Sequence, residues 1–168
     1  MQFTLRPWQP SDITSLVRYA NNPRVAQTLM NSFPHPYTGV DGRAFIALAL
    51  QSKPANRMAI EINNEAAGGI GLHLQPDIYC KNAELGYWLA EPYWGNGVMT
   101  EVVAQMVAYG FQHFDIDRIF AKPFGTNLSS QRVLEKAGFT LEGRFEKTIF
   151  KNGIYQDELV YAVRRESL

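Results

Sequence analysis

The sequence predicts an α/β chain, built as a mixed and mainly antiparallel sheet flanked by helices. Three observations carry that prediction. Short apolar segments that read as strands, such as Met58-Ala59-Ile60-Glu61-Ile62, sit among segments with helical spacing, of which Val103, Met106, Val107, Gly110, Phe111 and Phe114 form the longest. Two turn dipeptides able to adopt positive φ, Asn63-Asn64 and Asn152-Gly153, each join a pair of strand-like segments as a hairpin. The order of segments is strand, two helices, three strands, helix, strand, helix, two strands.

Taken in order, Phe3 to Pro7 reads as a short first strand. Ser11 or Asp12 caps a helix that runs to about Ala20 and ends before Pro23. Asn31 to Thr38, with Pro34 and Pro36 around His35, is a turn-rich loop, and Thr38 caps a second helix whose apolar face includes Ala44, Phe45, Leu48 and Ala49. Met58 to Ile62 and Ala67 to Leu74 form the first hairpin. Gly68-Gly69-Ile70-Gly71 could suggest a phosphate loop, but Leu72-His73-Leu74 and Pro76 follow it rather than a helix, so it reads as closely packed strand. Asn82 to Ala90 is the next strand, Thr100 to Phe114 the long helix, Ile119 to Phe124 a strand, and Asn127 to Ala137 a helix closed by Gly138. Phe139 to Phe150 and Ile154 to Val163 complete the second hairpin.

A chain of 168 residues fits one domain, 1–168, with a core large enough to need no staples. Sixteen basic and sixteen acidic residues leave no net charge, so no global field recruits nucleic acid or an anionic membrane. The single cysteine, Cys80, excludes an internal disulfide and fits a reducing compartment, and no metal-ligand spacing surrounds it or the three histidines. Met1 to Pro7 has no apolar run of signal-peptide length and no stretch approaches membrane-spanning length, so a cytoplasmic protein is expected.

The most informative stretch is Trp94-Gly95-Asn96-Gly97-Val98-Met99-Thr100, which joins the strand stopped by Glu91-Pro92 to the long helix. Two glycines there let the backbone approach a ligand and aim N–H groups outward, with the positive end of the helix behind them, an arrangement suited to a pyrophosphate. A Walker loop is excluded, because no Gly-Lys-Ser/Thr follows a four-residue spacer. A dinucleotide fingerprint is disfavoured, because Thr100 stands where its third glycine belongs. A glycine-relaxed turn that binds nothing fits the same two glycines.

Several spaced motifs then occur in a familiar order. Glu84-Leu85-Gly86-Tyr87-Trp88-Leu89, Pro92 to Gly97, Thr100-Glu101, Asn127-x-x-Ser130 and Val133-Leu134-Glu135-Lys136-x-Gly138-Phe139 resemble the RimJ/RimL branch of the GNAT acetyltransferases. Asn152-Gly153-x-Tyr155-x-Asp157, Tyr161, Leu5-Arg6-Pro7 and Pro36-Tyr37-Thr38 extend the likeness over almost the whole chain. The resemblance implies a GNAT-type sheet of six to seven strands with helices on both faces, acetyl-CoA as donor, and a primary amine as acceptor, either a protein N-terminus or a small molecule. A non-catalytic acyl-CoA sensor on the same fold is the alternative. Trp94 at the first position of the pyrophosphate motif is usual in this branch; Met99 stands where the motif has a small residue, which bears on phosphate packing and leaves the backbone donors untouched.

Under that resemblance, coenzyme A would be held by N–H groups from Gly95, Asn96, Gly97, Val98, Met99 and Thr100. Its pantetheine arm would pair with the strand at Trp88, Leu89 and Ala90 and touch Asn127. Ser130 is the candidate proton donor to the leaving thiolate; both Asn127 and Ser130 are also ordinary helix-entry residues. Glu84 is the candidate base, alternating with Gly86 and Trp88 along its strand, with Glu146 a weaker option and a water relay also open. An α-amine titrating near ~8 is roughly a tenth neutral at pH 7, a deficit of about 1.4 kcal/mol, whereas a lysine-like amine near ~10.4 faces roughly 4.6 kcal/mol. An N-terminal acceptor therefore needs less from its base. Exposed strands near the C-terminus make a homodimer an expectation too.

Overall fold

The computed structural model describes residues 1–167, so Leu168, the last residue of the expected 1–168 domain, lies outside the described residues. Seven strands hydrogen-bond in the order β1-β2-β3-β4-β5-β7-β6. They are β1 (Thr4–Pro7), β2 (Arg57–Ile62), β3 (Glu65–Leu74), β4 (Asn82–Leu89), β5 (Arg118–Ala121), β6 (Thr140–Lys151) and β7 (Ile154–Arg164). The helices are α1 (Ile13–Ala20), α2 (Pro23–Ala26), α3 (Gly39–Ala49), α4 (Val98–His113) and α5 (Leu128–Lys136). The β1–β2, β2–β3, β5–β7 and β6–β7 ladders are antiparallel and β4–β5 is parallel, as the mixed sheet predicted from the sequence requires. The chain forms two compact units interleaved along it, one from Met1–Gly71 with Tyr87–Val102, the other from Leu72–Gly86 with Val103 onward.

In the first unit the core gathers Trp8, Leu16, Ala20, Tyr37, Ile46, Ala49, Ala59 and Ala66, with Phe45 edge-on to Trp8 at 5.2 Å. Thr38 caps α3 as expected from the sequence, and Asp41 completes a capping box that the sequence reading did not name. The buried face of α3 differs from expectation: Gly42, Ile46 and Ala49 are buried, while Ala44 and Leu48 face solvent. Gly42 is the reason. A Cβ there would lie 2.9 Å from Ile13 Cδ1 and 3.1 Å from Val17 Cγ2, so α1 sits on the bare side of α3. Asp12 is also not a simple cap. Its carboxylate accepts from Gln9 N at 2.8 Å and from both Arg6 Nη atoms at 2.8 Å, while Arg6 Nε donates to Glu61. The hairpin turn has Asn63 and Asn64 at φ 54° and 63°, and Gly68 to Gly71 lie within β3.

In the second unit α4 lies against β3 and β5, where a Cβ on Gly110 would come within 2.5 Å of Leu72 Cδ1 and 3.2 Å of Ile119 Cδ1. Arg165 closes the end of that helix by donating to the carbonyls of Phe111, Phe114 and Ile116. β5 is shorter than the strand expected over Ile119 to Phe124: Pro123 breaks its ladder, and Phe124 keeps only an isolated bridge to Glu158. The Asn152-Gly153 turn joins β6 to β7 as read from the sequence. A bulge between Phe145 and Ile149, with Lys147 at φ 52°, is held by the Asp157 carboxylate, which accepts from Lys147 N and from Arg144.

Candidate active site

β4 ends at Leu89, and Ala90 N donates to Ala67 O at 2.8 Å, holding the strand end to β3. At Gly68 the two strands come so close that a Cβ would lie 2.6 Å from Trp88 O and 3.2 Å from Leu89 Cα. A turn over Glu91–Tyr93 follows, and then the loop. Trp94 Nε1 donates to Leu89 O at 2.7 Å, so the indole braces the loop against the strand it has just left. Asn96 Nδ2 donates to Tyr93 O and Trp94 O, which commits that side chain to the loop's own shape. The short helix α2, not anticipated from the sequence, contributes Arg24, which pairs with Glu91 and lies over the Trp94 ring at 5.4 Å.

Gly95 and Gly97 have φ of 77° and 76°, in the left-handed region, and a Cβ at either would meet nothing within 4 Å. The loop therefore presents bare backbone to open space. The long helix begins at Val98, two residues earlier than expected, so Val98 and Met99 belong to its first turn. Thr100 N donates back to Gly97 O at 3.1 Å, which removes one of the expected outward donors and tightens the helix entry. The N-terminal N–H groups and the positive end of a sixteen-residue helix then lie directly behind two bare glycines, a fit for a diphosphate.

The second unit carries the other expected groups. The β4–β5 ladder takes only Asn82, Ala83 and Glu84, paired with Arg118, Ile119 and Phe120. Glu84 Oε1 lies 3.6 Å from Lys122 Nζ, and both side chains are partly exposed. Asn127 caps α5, its Oδ1 accepting from Ser130 N at 3.2 Å and from Ser129 Oγ at 2.9 Å. The cap uses the oxygen of that amide and not its Nδ2 donors. Ser130 is half-buried in the first turn. Glu146 is exposed beside the β6 bulge, and Tyr161 donates to Glu135 Oε1 at 2.9 Å, tying β7 to α5. His35 and His113 are exposed; His113 stacks on Tyr109 at 4.1 Å near the end of α4. His73 lies on β3 beside Gly86, whose Cβ would meet its Nε2 at 3.7 Å. Only the strand register could have exposed that neighbour, and no local motif sets it.

Among the described residues, no three His, Cys, Asp or Glu side chains could together hold a metal ion, and no helix is long and apolar enough to cross a membrane.

With this geometry in view, the comparisons with known proteins are specific. The acetyltransferase (GNAT) domain family matches residues 2–140. The uncharacterized N-acetyltransferase YoaA of Bacillus subtilis (strain 168) is 36% identical over 123 residues, 72% of this chain and 68% of that protein. The ribosomal-protein-serine acetyltransferase of Escherichia coli (strain K12) is 33% identical over 82 residues, which span 49% of this chain and 46% of the relative. Among solved structures, RimL, a ribosomal L7/L12 alpha-N-protein acetyltransferase in complex with coenzyme A, superposes with a TM-score of 0.84 at 26% identity, covering 99% of this chain and 96% of that one. The chain belongs to the GNAT acetyltransferase family.

Proposed function

We propose that this chain moves the acetyl group of acetyl-CoA to a primary amine by direct attack in a ternary complex. The observation that carries the reading is the pair of open, positive-φ glycines set against the start of α4. Bound there, acetyl-CoA supplies an activated thioester. Residues 1–168 are read as one N-acetyltransferase domain, supported by a family match that runs through segments of both units.

This chain's own groups have the following roles. N–H groups of Gly95 to Met99 hold the diphosphate, helped less by Thr100, whose N–H is turned back to Gly97. Backbone of Trp88, Leu89 and Ala90 lines the pantetheine arm, with Ala90 N already given to Ala67 O and Leu89 O already accepting from Trp94 Nε1, so the pairing falls chiefly to Leu89; a β4–β5 ladder that stops at Glu84 is consistent with it, and Asn127 offers its Nδ2. Glu84 serves the acceptor's proton, and Ser130 donates to the departing thiolate. A protein N-terminal amine is the favoured acceptor. Its deprotonation deficit at pH 7 is about 3 kcal/mol smaller than that of a lysine-like amine, and ribosomal-protein acetyltransferases stand among the relatives. The exposed Leu141, Phe145, Phe150, Ile154 and Tyr155 of the β6–β7 hairpin support a homodimer, and the single, exposed cysteine supports a cytoplasmic setting.

Titration calorimetry with acetyl-CoA, followed by thiol release over a panel of short peptides with free N-termini and small amines, tests the reading. Heat of binding and amine-dependent thiol release are expected. Ser130→Ala should lower turnover roughly 10- to 100-fold at unchanged acetyl-CoA affinity, and Glu84→Gln should alter the pH–rate profile. No binding heat at millimolar acetyl-CoA removes the assignment; full turnover in Ser130→Ala removes the donor role alone.

A further inference from the structure

His73 and Glu84 face each other across β3 and β4, and the scheme above uses only one of them. Gln75 N donates to Asn82 O at 3.0 Å, which fixes the pairing where β4 begins. With Ala90 N bonded to Ala67 O at the other end, β3 and β4 run antiparallel in a single register, which sets His73 opposite Glu84 with both side chains on the same face of the sheet. The 3.7 Å approach of a Gly86 Cβ to His73 Nε2 agrees, since Gly86 follows Glu84 on that face. Helix α4 covers the opposite face, where its Gly110 meets Leu72. Leu72 is 0% exposed while His73 beside it is open to solvent.

We infer that His73 is a catalytic residue of the acetyl transfer: its neutral imidazole takes the proton of the acceptor ammonium, and Glu84 opposite stabilises the imidazolium that forms. This inference rests on the acetyltransferase reading and moves the proton-accepting role from Glu84 to His73, leaving Glu84 to support it. Glu84 Oε1 already has Lys122 Nζ at 3.6 Å, so one side of the carboxylate is turned to a cation of this chain. An imidazole ordinarily titrates near ~6.5 and a glutamate near ~4.3, and a base works best when its range lies near the operating pH. The open face supplies access, and Gly86 adds no side chain to block it.

The step balances without any further reagent. The ammonium proton passes to the imidazole nitrogen, the freed lone pair forms the C–N bond, and the C–S bond breaks as the carbonyl reforms. The second amine proton ends on sulfur through Ser130, and the imidazolium returns its proton to water. The charged groups on this face of β4 and β5 are Glu84, Arg118, whose guanidinium is bonded to Asn82 and Glu142, and Lys122, which lies just past the end of β5. α4 packs on the other face. Glu84 favours the charged imidazole and the two cations favour the neutral one.

The test is the pH–rate profile of thiol release, with acetyl-CoA and either a Ser-initiated hexapeptide or spermidine, whichever the wild type turns over. The wild type should lose activity on acidification through one ionisation in the imidazole range. His73→Gln should lose that ionisation and about 100-fold in kcat, with unchanged acetyl-CoA affinity by calorimetry and unchanged Tm. Glu84→Gln should keep the ionisation but move it to lower pH, and Lys122→Met should move it to higher pH. An unaltered rate and profile in His73→Gln overturns the inference while leaving the acetyltransferase reading intact. So does an acid limb that vanishes in Glu84→Gln but persists in His73→Gln. Absence of thiol release from the wild type with every amine overturns both.

Discussion

Gly97 shows how much one residue's backbone decides here. At φ 76° any side chain sits in the left-handed region, which costs about 1–2 kcal/mol, yet nothing within 4 Å would clash with it. Gly97→Ala should therefore fold, shift the backbone away from this φ, and weaken acetyl-CoA roughly tenfold, with little change in Tm. Trp94→Phe asks a related question. It removes the Nε1 bond to Leu89 O while keeping most of the ring, at a cost of about 1 kcal/mol to the brace. Calorimetry on both variants checks the pair; wild-type affinity in Gly97→Ala would mean that the loop's conformation does not govern the cofactor. These residues were legible in the sequence because the cue is local: Gly-x-Gly between a strand stop and a long apolar helix. His73 was not, because its relation to Glu84 depends on a register set through the 75–81 connection, where Asp77 takes φ 58°.

Strands and helices differ in how far local pattern reaches. The hairpins, the Thr38 cap of α3 and the Gly138 stop all came from residues or spacings confined to a few positions, and the structure has them. The buried face of α3 was misread because Gly42, which carries no apolar side chain, is the contact point with α1. Gly68 is the same kind of position in a strand, and the sequence reading of close packing there holds. Its virtual Cβ would meet a backbone oxygen, Trp88 O at 2.6 Å, and backbone cannot rotate aside as a side-chain terminus can. Gly68→Ala should thus destabilise by about 1–3 kcal/mol and push the end of β4 outward. Because Trp88 to Ala90 is the stretch proposed to pair with pantetheine, affinity for acetyl-CoA should fall more than affinity for a pantetheine-free 3′,5′-ADP fragment. Equal losses for both ligands, measured by calorimetry, would dissociate the strand end from pantetheine binding.

Across the molecule, a net charge of zero hides carboxylates held to specific cations, and these set the pH range of the fold. Burial pushes the Asp12 carboxyl up, but the Arg6 guanidinium and the Gln9 N–H outweigh it and hold the group below its ordinary range. A carboxyl lowered in the folded state gives stability that is present above its unfolded value, near ~3.9, and disappears as pH falls through the folded one. Tyr37 works at the other end. Burial, with the Asp41 charge adding to it, pushes its hydroxyl up to about 12, so the unfolded chain ionises first and stability declines as pH climbs between roughly 10 and 12. Neither relation was readable in advance: Asp12 looked like an ordinary helix cap, and no local pattern announces the burial of Tyr37. The expected stability curve is a plateau from about pH 5 to 9 with a shoulder falling on each side. Asp12→Asn should lower the plateau by about 2–4 kcal/mol, by leaving Arg6 short of a partner, and flatten the acid shoulder below about pH 4. Tyr37→Phe should leave the acid shoulder alone and flatten only the alkaline one. Urea midpoints measured across the pH range for the wild type and both variants decide it: an acid shoulder in Asp12→Asn as steep as in the wild type would assign acid sensitivity to other carboxylates of the fold.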